Sequence, residues 1–337
     1  MFENRRFLLI RRPVGTPVPA DFALESSGAA SPTAGKILVR NHVASLDPAQ
    51  RGWMDDAPSY MPAIPLGAPV RATTVGVVAA SAHPDYREGD WVVGLGALED
   101  YSLITPNSFT RKVDVGGTAS PSLYLSAFGA VGMTAYFGLI DAANPSAGET
   151  LLVSGAAGAV GSIVGQIGKI IGCRVIGIAG GADKCSRLTR DYGFDVAIDY
   201  KGKDSEVLAT EIGAALPDGA DILFENVGGT VFDAELMNIA PGARIVLCGL
   251  ISEYNAARKV GARNLWQVLV RRATLKGFLV ADYADRFSEG AQQMAEWISQ
   301  GRLRIDEDEQ DGLENAYAAF MRLFSGANTG KLVLRIA

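Results

Sequence analysis

The sequence predicts an α/β fold in which a doubly wound, parallel sheet of six strands is combined with a second, β-rich domain. Two observations carry this prediction. After residue 150, apolar runs of strand length alternate with helical stretches, which is the order typical of a parallel sheet covered by helices. Before residue 120, short extended segments are separated by Pro, Gly and charged turns, which is typical of an antiparallel, barrel-like β domain.

The strands of the parallel sheet are predicted to be buried on both faces, since their β-branched, apolar runs show no alternation with polar residues. These strands are predicted at residues 151–154, 174–179, 196–200, 221–226, 244–248 and 275–280. A long helix of small residues follows the first strand, and further helices are predicted at 182–192, 206–216, 231–239 and 264–272.

The β-rich half is predicted to be discontinuous along the chain. Its early strands are expected at residues 36–43, 74–79, 91–95 and 101–104. Near the end, a helix at 312–324 precedes a strand at 330–337, which comes too late to extend the six-strand series. We therefore expect this strand to return to the first domain. The predicted domains are then residues 1–125 with 296–337, and residues 126–295.

Composition excludes several classes of protein. The chain has 337 residues, of which 48% are hydrophobic and 20% are charged, as in a globular enzyme with a sizeable core. Its net charge of −6 argues against nucleic acid or an anionic membrane as a main partner. Three cysteines indicate no disulfide framework and favour a reducing compartment, the cytoplasm. Residues 122–140 are uncharged and long enough to span a bilayer, but they contain serine, threonine and glycine, and we expect a buried helix there.

A glycine-rich turn follows the first strand of the predicted parallel sheet. Gly158 and Gly161 occupy the last two positions of a G-x-G-x-x-G pattern, and Ala156 occupies the first. In such a turn the second glycine lets the backbone approach a pyrophosphate, and the third lets the helix lie close to the sheet. The N–H groups at the start of the helix favour the phosphates. This turn, placed between two buried strands, predicts a dinucleotide site.

The residues after the second strand favour NADP over NAD. An NAD site needs an acidic residue about twenty positions past the turn, to bind the ribose 2′-hydroxyl. Gly180 and Gly181 stand there instead, and Asp183 falls within the next helix. Lys184 and Arg187 follow, and these two cations can neutralise a 2′-phosphate. The alternative is that both are ordinary solvated helix residues.

Several ordered motifs give the chain a resemblance to a known superfamily over nearly its whole length. They are NRRFLLIRRPVGTP near the start, LDPAQRGWM at 46–54, LSAFGAVGMTAYFGL at 125–139, AAGAVGSIVGQIGK at 156–169, GFDVAIDY at 193–200, FENVGG at 224–229, CGLISEYN at 248–255 and ANTGKLVL at 327–334. With these motifs the chain resembles the medium-chain dehydrogenases/reductases, within them the zinc-independent leukotriene B4 dehydrogenase/prostaglandin reductase group, which includes alkenal double-bond reductases and curcumin reductase-like enzymes. The resemblance implies a Rossmann sheet with a GroES-like β domain.

The resemblance also implies which residues bind the cofactor, NADP(H). Those expected at the pyrophosphate are Gly158, Ala159, Val160 and Gly161, and those at the adenosine 2′-phosphate are Lys184 and Tyr200. Those on the nicotinamide side are Asn226, Cys248, Gly249, Ile251, Ser252, Tyr254 and the backbone of Phe278, Leu279 and Val280, with Asn328 reaching the cofactor from the returning segment. Each has an alternative: Tyr200 as a strand-end aromatic, Asn226 as a turn former, Cys248 as a small buried hydrophobe.

The distribution of histidine and cysteine argues against zinc. In this superfamily a catalytic zinc would need Cys or His ligands in the β domain, and a structural zinc would need four cysteines. All three cysteines, Cys173, Cys185 and Cys248, lie in the dinucleotide half, and the only histidines are His42 and His83. We therefore expect metal-free chemistry.

The implied activity is NADPH-dependent reduction of the C=C bond of α,β-unsaturated ketones and aldehydes. Hydride would go to the β-carbon and leave an enolate, which needs a hydrogen-bond donor at oxygen and a proton at the α-carbon. Tyr254 matches the tyrosine of the family motif CG-x-I-S-x-Y-N and is the predicted catalytic residue. The alternative is a tyrosine that only packs over the cofactor.

The substrate pocket departs from the family pattern. The usual D-P-Y-M-R reads Asp47-Pro48-Ala49-Gln50-Arg51 here, so a pocket tyrosine is replaced by Ala49 and preferences for prostaglandins or leukotrienes do not transfer. Residues expected to line the substrate mouth are Tyr60, Met61, Met133 and Tyr283, although aromatic and Met residues more often serve packing.

Two other functions remain open: a zinc-independent NADPH:quinone oxidoreductase, and a non-catalytic NADPH-binding redox sensor. The resemblance implies a homodimer paired through the edge of the nucleotide sheet. The basic segment 258–272 is either a solvated amphipathic helix or a contact for the phosphate of an acyl-CoA or carrier protein.

Overall fold

The computed structural model describes residues 2–116, 120–256 and 259–337. These divide into two units. The first unit comprises Met1–Gly129, Glu307–Asn328 and Leu332–Ala337, and the second comprises Ala130–Asp306 and Thr329–Lys331. The domain boundaries predicted from the sequence stay a prediction.

The first unit is built from antiparallel strands. Its strands before residue 120 are β1 (Glu3–Leu9), β2 (Phe22–Gly28), β3 (Ile37–Ser45), β4 (Arg71–Ser81), β5 (Trp91–Ala97), β6 (Tyr101–Ile104) and β7 (Arg111–Lys112), with one short helix, α1 (Ala49–Trp53). β1 and β2 form a separate two-stranded sheet. Ile37 and Val39 of β3 pack with Val78 of β4 in a shared core. Leu38 between them is buried as well, so this part of β3 is covered on both faces.

The second unit contains the predicted parallel sheet. After α2 (Ala130–Phe137) and a π-helical segment (Gly138–Ala143), strands and helices alternate. They are β8 (Thr150–Val153), α3 (Ala159–Ile171), β9 (Arg174–Ala179), α4 (Ala182–Tyr192), β10 (Val196–Asp199), α5 (Ser205–Ala215), β11 (Ala220–Glu225), α6 (Gly229–Leu236), β12 (Ile239–Leu247), α7 (Trp266–Val270), β13 (Thr274–Gly277) and α8 (Phe287–Ser299). The strand order is β10-β9-β8-β11-β12-β13, with parallel pairing throughout.

Local sequence explains where these elements begin and end. Leu151, Leu152 and Val153 of β8 have no exposed surface, which is expected of a central strand covered on both faces. Asp204 caps α5 by accepting the N–H groups of Glu206 and Val207. Gly172 ends α3 in the left-handed conformation, with φ 100°, which glycine adopts without steric cost.

The chain then returns to the first unit through β14 (Glu307–Asp311), α9 (Ala316–Ser325) and β15 (Lys331–Arg335). β15 pairs antiparallel with β3, and Val333 lies opposite Ser45. The sheet of the first unit has the order β14-β15-β3-β4-β5-β7, with β6 also paired to β3. The predicted return of the last strand is therefore confirmed, as is the discontinuous β domain.

Several predicted elements need correction. The helix predicted at 231–239 ends at Leu236, and β12 begins at Ile239, well before the predicted strand. The strand predicted at 275–280 ends at Gly277 and is followed by a 3₁₀ helix, Val280–Arg286. Residues 122–140 form no single helix, because a 3₁₀ turn, α2 and the π-helical segment share this stretch. Among the described residues, no helix is both long enough and apolar enough to span a bilayer.

Candidate functional site

The glycine-rich turn connects β8 to α3 with very close backbone contacts. Gly155 has φ 56°, and the Gly158 N–H group donates to its carbonyl at 2.9 Å. A Cβ atom on Gly161 would lie 2.5 Å from the Gly155 carbonyl oxygen and 2.8 Å from the Ala156 Cα atom. Because both neighbours are backbone atoms that cannot move aside, position 161 requires glycine.

Gly158 forms the N-cap of α3 and brings no side chain to it. Among the described residues, a Cβ atom there would come within 4 Å of one atom beyond its chain neighbours, the Gly155 oxygen at 3.1 Å. The first N–H groups of the helix, those of Ala159, Val160 and Gly161, therefore have no capping side chain from position 158. Such a helix start attracts anions through its N–H groups and its dipole. Gly330 pairs with Gly158 through a parallel β-bridge, so the segment Thr329–Lys331 of the same unit lies against this turn.

The carboxyl ends of β9 and β10 come together at Gly180 and Gly181. A Cβ atom on Gly180 would lie 3.1 Å from the Tyr200 hydroxyl oxygen, so this tyrosine packs directly on the glycine. The Gly181 N–H group donates to Asp199 at 2.7 Å, and this bond holds the turn that starts α4. Lys184 lies in the first turn of α4. The structure thus brings Tyr200 to the glycine turn from which Lys184 follows.

Arg187 has a different role from the one predicted. Its Nη2 atom donates to Asp306 at 2.6 Å and to the Tyr192 hydroxyl at 3.1 Å, and its guanidinium also pairs with Asp191. Tyr192 donates to the same Asp306 oxygen at 2.6 Å. This ion-pair network satisfies the charge of Arg187 inside the protein, and we withdraw it as a cation for the 2′-phosphate. Lys184 remains the predicted cation for the 2′-phosphate.

Asn226 follows β11 and is fixed by Ser154 at the end of β8. Its N–H group donates to the Ser154 hydroxyl at 2.8 Å, and its side-chain amide donates to the Ser154 carbonyl at 2.8 Å. The Ser154 hydroxyl in turn donates to the buried carboxylate of Glu225 at 2.6 Å. Sequence reasoning missed Ser154 and Glu225. The signal was available, since each is a polar residue at the end of an apolar strand.

The turn after β12 packs on the same edge of the sheet. The N–H groups of Cys248 and Gly249 donate to the Glu225 carbonyl, at 2.9 and 3.1 Å, and that of Ile251 donates to the Asn226 carbonyl at 3.2 Å. The Ser252 N–H group donates to the Val227 carbonyl at 2.9 Å. Burial, with a further contribution from the charge of Glu225, raises the pKa of the Cys248 thiol to about 12. Cys248 is therefore a neutral thiol rather than a nucleophile.

The Tyr254 side chain hydrogen-bonds to the backbone of its own turn. Its hydroxyl oxygen accepts the Leu250 N–H group at 3.3 Å. A Cβ atom on Gly249 would lie 3.4 Å from the Tyr254 hydroxyl and 3.4 Å from the Asn226 carbonyl oxygen. The Tyr254 hydroxyl and the Asn226 backbone carbonyl thus both lie next to the α-carbon of Gly249.

The other predicted residues of the second unit lie in or beside an aromatic cluster. Phe278 is buried, with its ring centroid 5.4 Å from that of Tyr283, and Tyr283 stacks on Phe137 at 4.8 Å. Leu279 is partly exposed, and Val280 begins the 3₁₀ helix. Met133 is fully buried, and a Cβ atom on Gly290 of α8 would lie 2.6 Å from its sulfur. Met133 therefore serves helix packing, and we withdraw it from the predicted substrate mouth.

The remaining predicted residues belong to the first unit. Tyr60 is exposed, and its hydroxyl accepts the indole N–H of Trp53 at 3.2 Å, while Met61 is half-buried. Ala49 begins α1. Asn328 is buried just before the segment Thr329–Lys331, which belongs to the second unit.

The described residues contain no group of three or more His, Cys, Asp and Glu side chains that could hold a metal ion. His42 packs against Trp91 with tilted rings and 4.8 Å between ring centroids, and burial lowers the pKa of its imidazole. His83 contacts Tyr86 edge-on, with 5.1 Å between ring centroids. The two histidines of the chain thus pack against different aromatic rings.

Comparison with known proteins agrees with this geometry. Residues 5–112 match a family described as the N-terminal domain of oxidoreductase, and residues 159–300 match one described as zinc-binding dehydrogenase. The chain is 43% identical to the NADPH-dependent curcumin reductase of Escherichia coli, over 99% of this chain and 97% of that protein. It is 38% identical to a 2-alkenal reductase (NADP(+)-dependent) of Nicotiana tabacum, over 89% of this chain and 87% of that protein.

The crystal structure of CurA in complex with NADPH, from Vibrio vulnificus, superposes with a TM-score of 0.92 at 41% identity and covers 99% of both chains. Identity at this level over the full length, together with the fold and the glycine turn, establishes the family. The chain belongs to the medium-chain dehydrogenase/reductase superfamily, in its group of alkenal and enone reductases.

Proposed function

We propose that this protein is an NADPH-dependent reductase of the C=C bond of α,β-unsaturated ketones and aldehydes. One observation carries the proposal. Asn226 and the Tyr254 hydroxyl meet around Gly249 at the carboxyl end of the parallel sheet, which is where sheets of this kind bind their ligands. The relatives with 43% and 38% identity are named as a curcumin reductase and a 2-alkenal reductase, and both act with NADP(H).

The glycine turn fits the cofactor, since a Cβ atom at Gly161 would collide with backbone and Gly158 brings no capping side chain to the start of α3. Residues 158–161 would hold the pyrophosphate, and Lys184 with Tyr200 the 2′-phosphate. Asn226, the turn Cys248–Tyr254 and the backbone of 278–280 would hold the nicotinamide side, with Asn328 from the returning segment. When bound, the nicotinamide supplies the hydride that reduces the β-carbon.

Tyr254 is the residue we assign to the oxygen of the substrate carbonyl. Its hydroxyl oxygen accepts the Leu250 N–H group, which places this hydroxyl beside Gly249 and the Asn226 backbone. As negative charge develops on the carbonyl oxygen, this hydroxyl would donate a hydrogen bond to it and favour the enolate. The same hydroxyl would then help to deliver the proton that completes the reaction.

We further propose that the reaction needs no metal. The ligand set carries this proposal, since all three cysteines follow residue 172 and the only histidines, His42 and His83, pack against different aromatic rings. The match to a family described as zinc-binding concerns residues 159–300, which contain no histidine at all. Dialysis against a strong chelator should leave turnover unchanged.

We also propose a homodimer in the cytoplasm. The edge strand β13 is exposed along its length, and α7, which precedes it in the chain, carries exposed apolar residues that include Trp266 and Leu269. An open sheet edge with apolar neighbours favours pairing with a second copy.

The three cysteines are free thiols, as suits a reducing compartment. No nucleic acid or membrane partner is proposed. Within the basic segment 258–272, Arg258 lies outside the described residues.

A substrate panel tests the proposal. Purified protein is mixed with NADPH and either an enal, an enone or a quinone, and the loss of the absorbance of reduced nicotinamide is followed. We expect enals and enones to be reduced at the C=C bond, as checked by product analysis. Turnover of quinones alone would assign the protein to the quinone oxidoreductases, and NADPH binding without turnover would indicate a sensor.

A further inference from the structure

Glu225, at the carboxyl end of β11, is a fully buried side chain that gathers donors from three residues. Its Oε1 atom accepts the N–H group of Val227 at 2.7 Å and that of Gly228. Its Oε2 atom accepts the Ser154 hydroxyl at 2.6 Å. An ionised carboxylate has acceptors only, so it satisfies all three donors. An amide at this position would bring two N–H donors of its own and leave at least one of the three without an acceptor.

Ser154 connects Glu225 to Asn226 of the candidate site through hydrogen bonds. Because its hydroxyl proton goes to Glu225, its oxygen accepts the Asn226 N–H group at 2.8 Å. The Asn226 side-chain amide donates to the Ser154 carbonyl. The Asn226 carbonyl accepts the N–H group of Ile251, in the turn that carries Tyr254. A single buried carboxylate thus supports both polar groups that meet around Gly249.

Glu235 of α6 lies next to Glu225 and is fully buried as well. Its two carboxyl oxygens receive no hydrogen-bond donor from the residues that the structure describes. Burial, and then the charge of Glu225, raise the pKa of Glu235 well above its usual range. Two buried carboxylates side by side cannot both be ionised. The charge therefore stays on Glu225, which has the donors, and the proton stays on Glu235.

We propose that Glu225, as a carboxylate, positions Asn226 and the Cys248–Tyr254 turn for the nicotinamide half of the site, and that Glu235 is its neutral, protonated neighbour. This inference rests on the proposed function for the identity of the bound group. The inference adds to the site Glu225 and Glu235, two residues that do not touch the bound group themselves. It assigns opposite protonation states to these two glutamates.

The test compares isosteric changes on the two carboxyls. Glu225→Gln should lower kcat at saturating NADPH by about 10-fold or more, because the reacting groups lose their alignment. Ser154→Ala, a smaller change that keeps the carbonyl contact to Asn226, should lower kcat by about 3-fold or more. In both variants the KM for NADPH should stay within about 3-fold, because the phosphate subsites are untouched. Glu235→Gln should keep kcat within about 2-fold, because a neutral amide of the same shape leaves Glu225 and its three donors unchanged.

Two measurements independent of turnover complete the experiment. The fluorescence of protein-bound NADPH reports the surroundings of the nicotinamide, and it should change in Glu225→Gln and Ser154→Ala but not in Glu235→Gln. The infrared band of a buried carboxylic acid at neutral pH should vanish in Glu235→Gln. Wild-type activity in Glu225→Gln and Ser154→Ala would overturn the proposal, as would equal losses in Glu225→Gln and Glu235→Gln or an acid band that survives Glu235→Gln.

These results separate the inference from the proposed function. If the wild-type protein binds NADPH but reduces no enone, the proposed function fails, and the bound-NADPH fluorescence still decides the positioning role. If the wild type reduces enones and the variants behave alike, the positioning role fails and the function stands.

Discussion

Arg187 of α4 and Asp306 form an ion pair, with 2.6 Å between Nη2 and Oδ2, although 119 positions separate them in the sequence. The other carboxyl oxygen of Asp306 accepts the Arg304 guanidinium at 2.9 Å, and its backbone carbonyl accepts the N–H group of Lys331. Asp306 thus ties α4 to the segment whose Gly330 pairs with Gly158. Arg187, which the sequence suggested as a cation for the cofactor, instead stabilises the contact between α4 and this segment.

Asp306→Asn should destabilise the protein by about 2 kcal/mol at pH 7, since hydrogen bonds to charged partners are lost. Burial alone would raise the pKa of Asp306, but hydrogen bonds from Tyr192 and Arg304 outweigh it and lower that pKa. The contribution is therefore present above the unfolded pKa of about 4 and disappears as pH falls through the lower, folded pKa. Urea denaturation at pH 7 and in acid measures both effects.

The control is Glu211→Gln, which removes an exposed partner of Lys203 in the same unit and should cost less than about 0.5 kcal/mol. An Asp306→Asn variant as stable as the wild type at pH 7 would contradict the assigned role.

Lys184→Ala should weaken binding of NADPH about 10-fold and leave that of NADH within about 2-fold. The physical reason is the loss of one charge-assisted contact to the 2′-phosphate, which NADH lacks. Titration of each cofactor by fluorescence gives the two dissociation constants. Arg190→Ala, which removes an exposed cation from the same helix, is the matched control and should change neither. Equal losses for both cofactors would show that Lys184 has a structural role only.

The sequence predicted the elements whose signals are local. β9 and α4 have the predicted bounds, because an apolar run, two glycines and a polar helix follow one another without interruption. β12 was predicted too short, because Pro241 and Gly242 interrupt its apolar pattern where the register shifts against β11. β14 escaped prediction because Glu307–Asp311 carries no apolar alternation and becomes a strand only through pairing with β15.

The same distinction holds for the candidate site. The glycine turn and the Tyr254 turn are visible as motifs. The partners of Arg187 and of Asn226 are separated from them by 119 and 72 residues, and no local pattern reports such contacts. Burial of Met133 likewise depends on α8, which the sequence did not place against α2.

Tyr254→Phe should lower kcat for a good enone about 100-fold, since the hydroxyl that stabilises and protonates the enolate is removed while the ring is kept. The KM for NADPH should stay within about 2-fold. Steady-state kinetics at saturating NADPH measure both values. Tyr124→Phe removes an exposed hydroxyl that donates to Asp114 in the first unit, and it should leave both unchanged. An unchanged kcat in Tyr254→Phe would remove this residue from the mechanism.

Gly161→Ala should destabilise the turn by about 2 kcal/mol, because the new Cβ atom meets two backbone atoms inside van der Waals distance. NADPH should also raise the melting temperature less than in the wild type, since binding to a distorted turn is weaker. Gly52→Ala is the control, because Gly52 lies within α1 and a Cβ atom there would meet nothing within 4 Å. A normal shift with NADPH in Gly161→Ala would contradict the assigned pyrophosphate role.

The edge of the parallel sheet provides the last prediction. Trp266 and Leu269 of α7 are 66% and 65% exposed, and α7 immediately precedes the edge strand β13 in the chain. Burying two such side chains against a second copy contributes several kcal/mol, and charges placed there would have to be buried without partners. Trp266→Glu with Leu269→Glu should therefore convert a dimer into a monomer in light scattering, with NADPH binding retained. Val207→Glu, at an exposed apolar site on α5, should leave the mass unchanged. A dimer that survives the double change must use another surface.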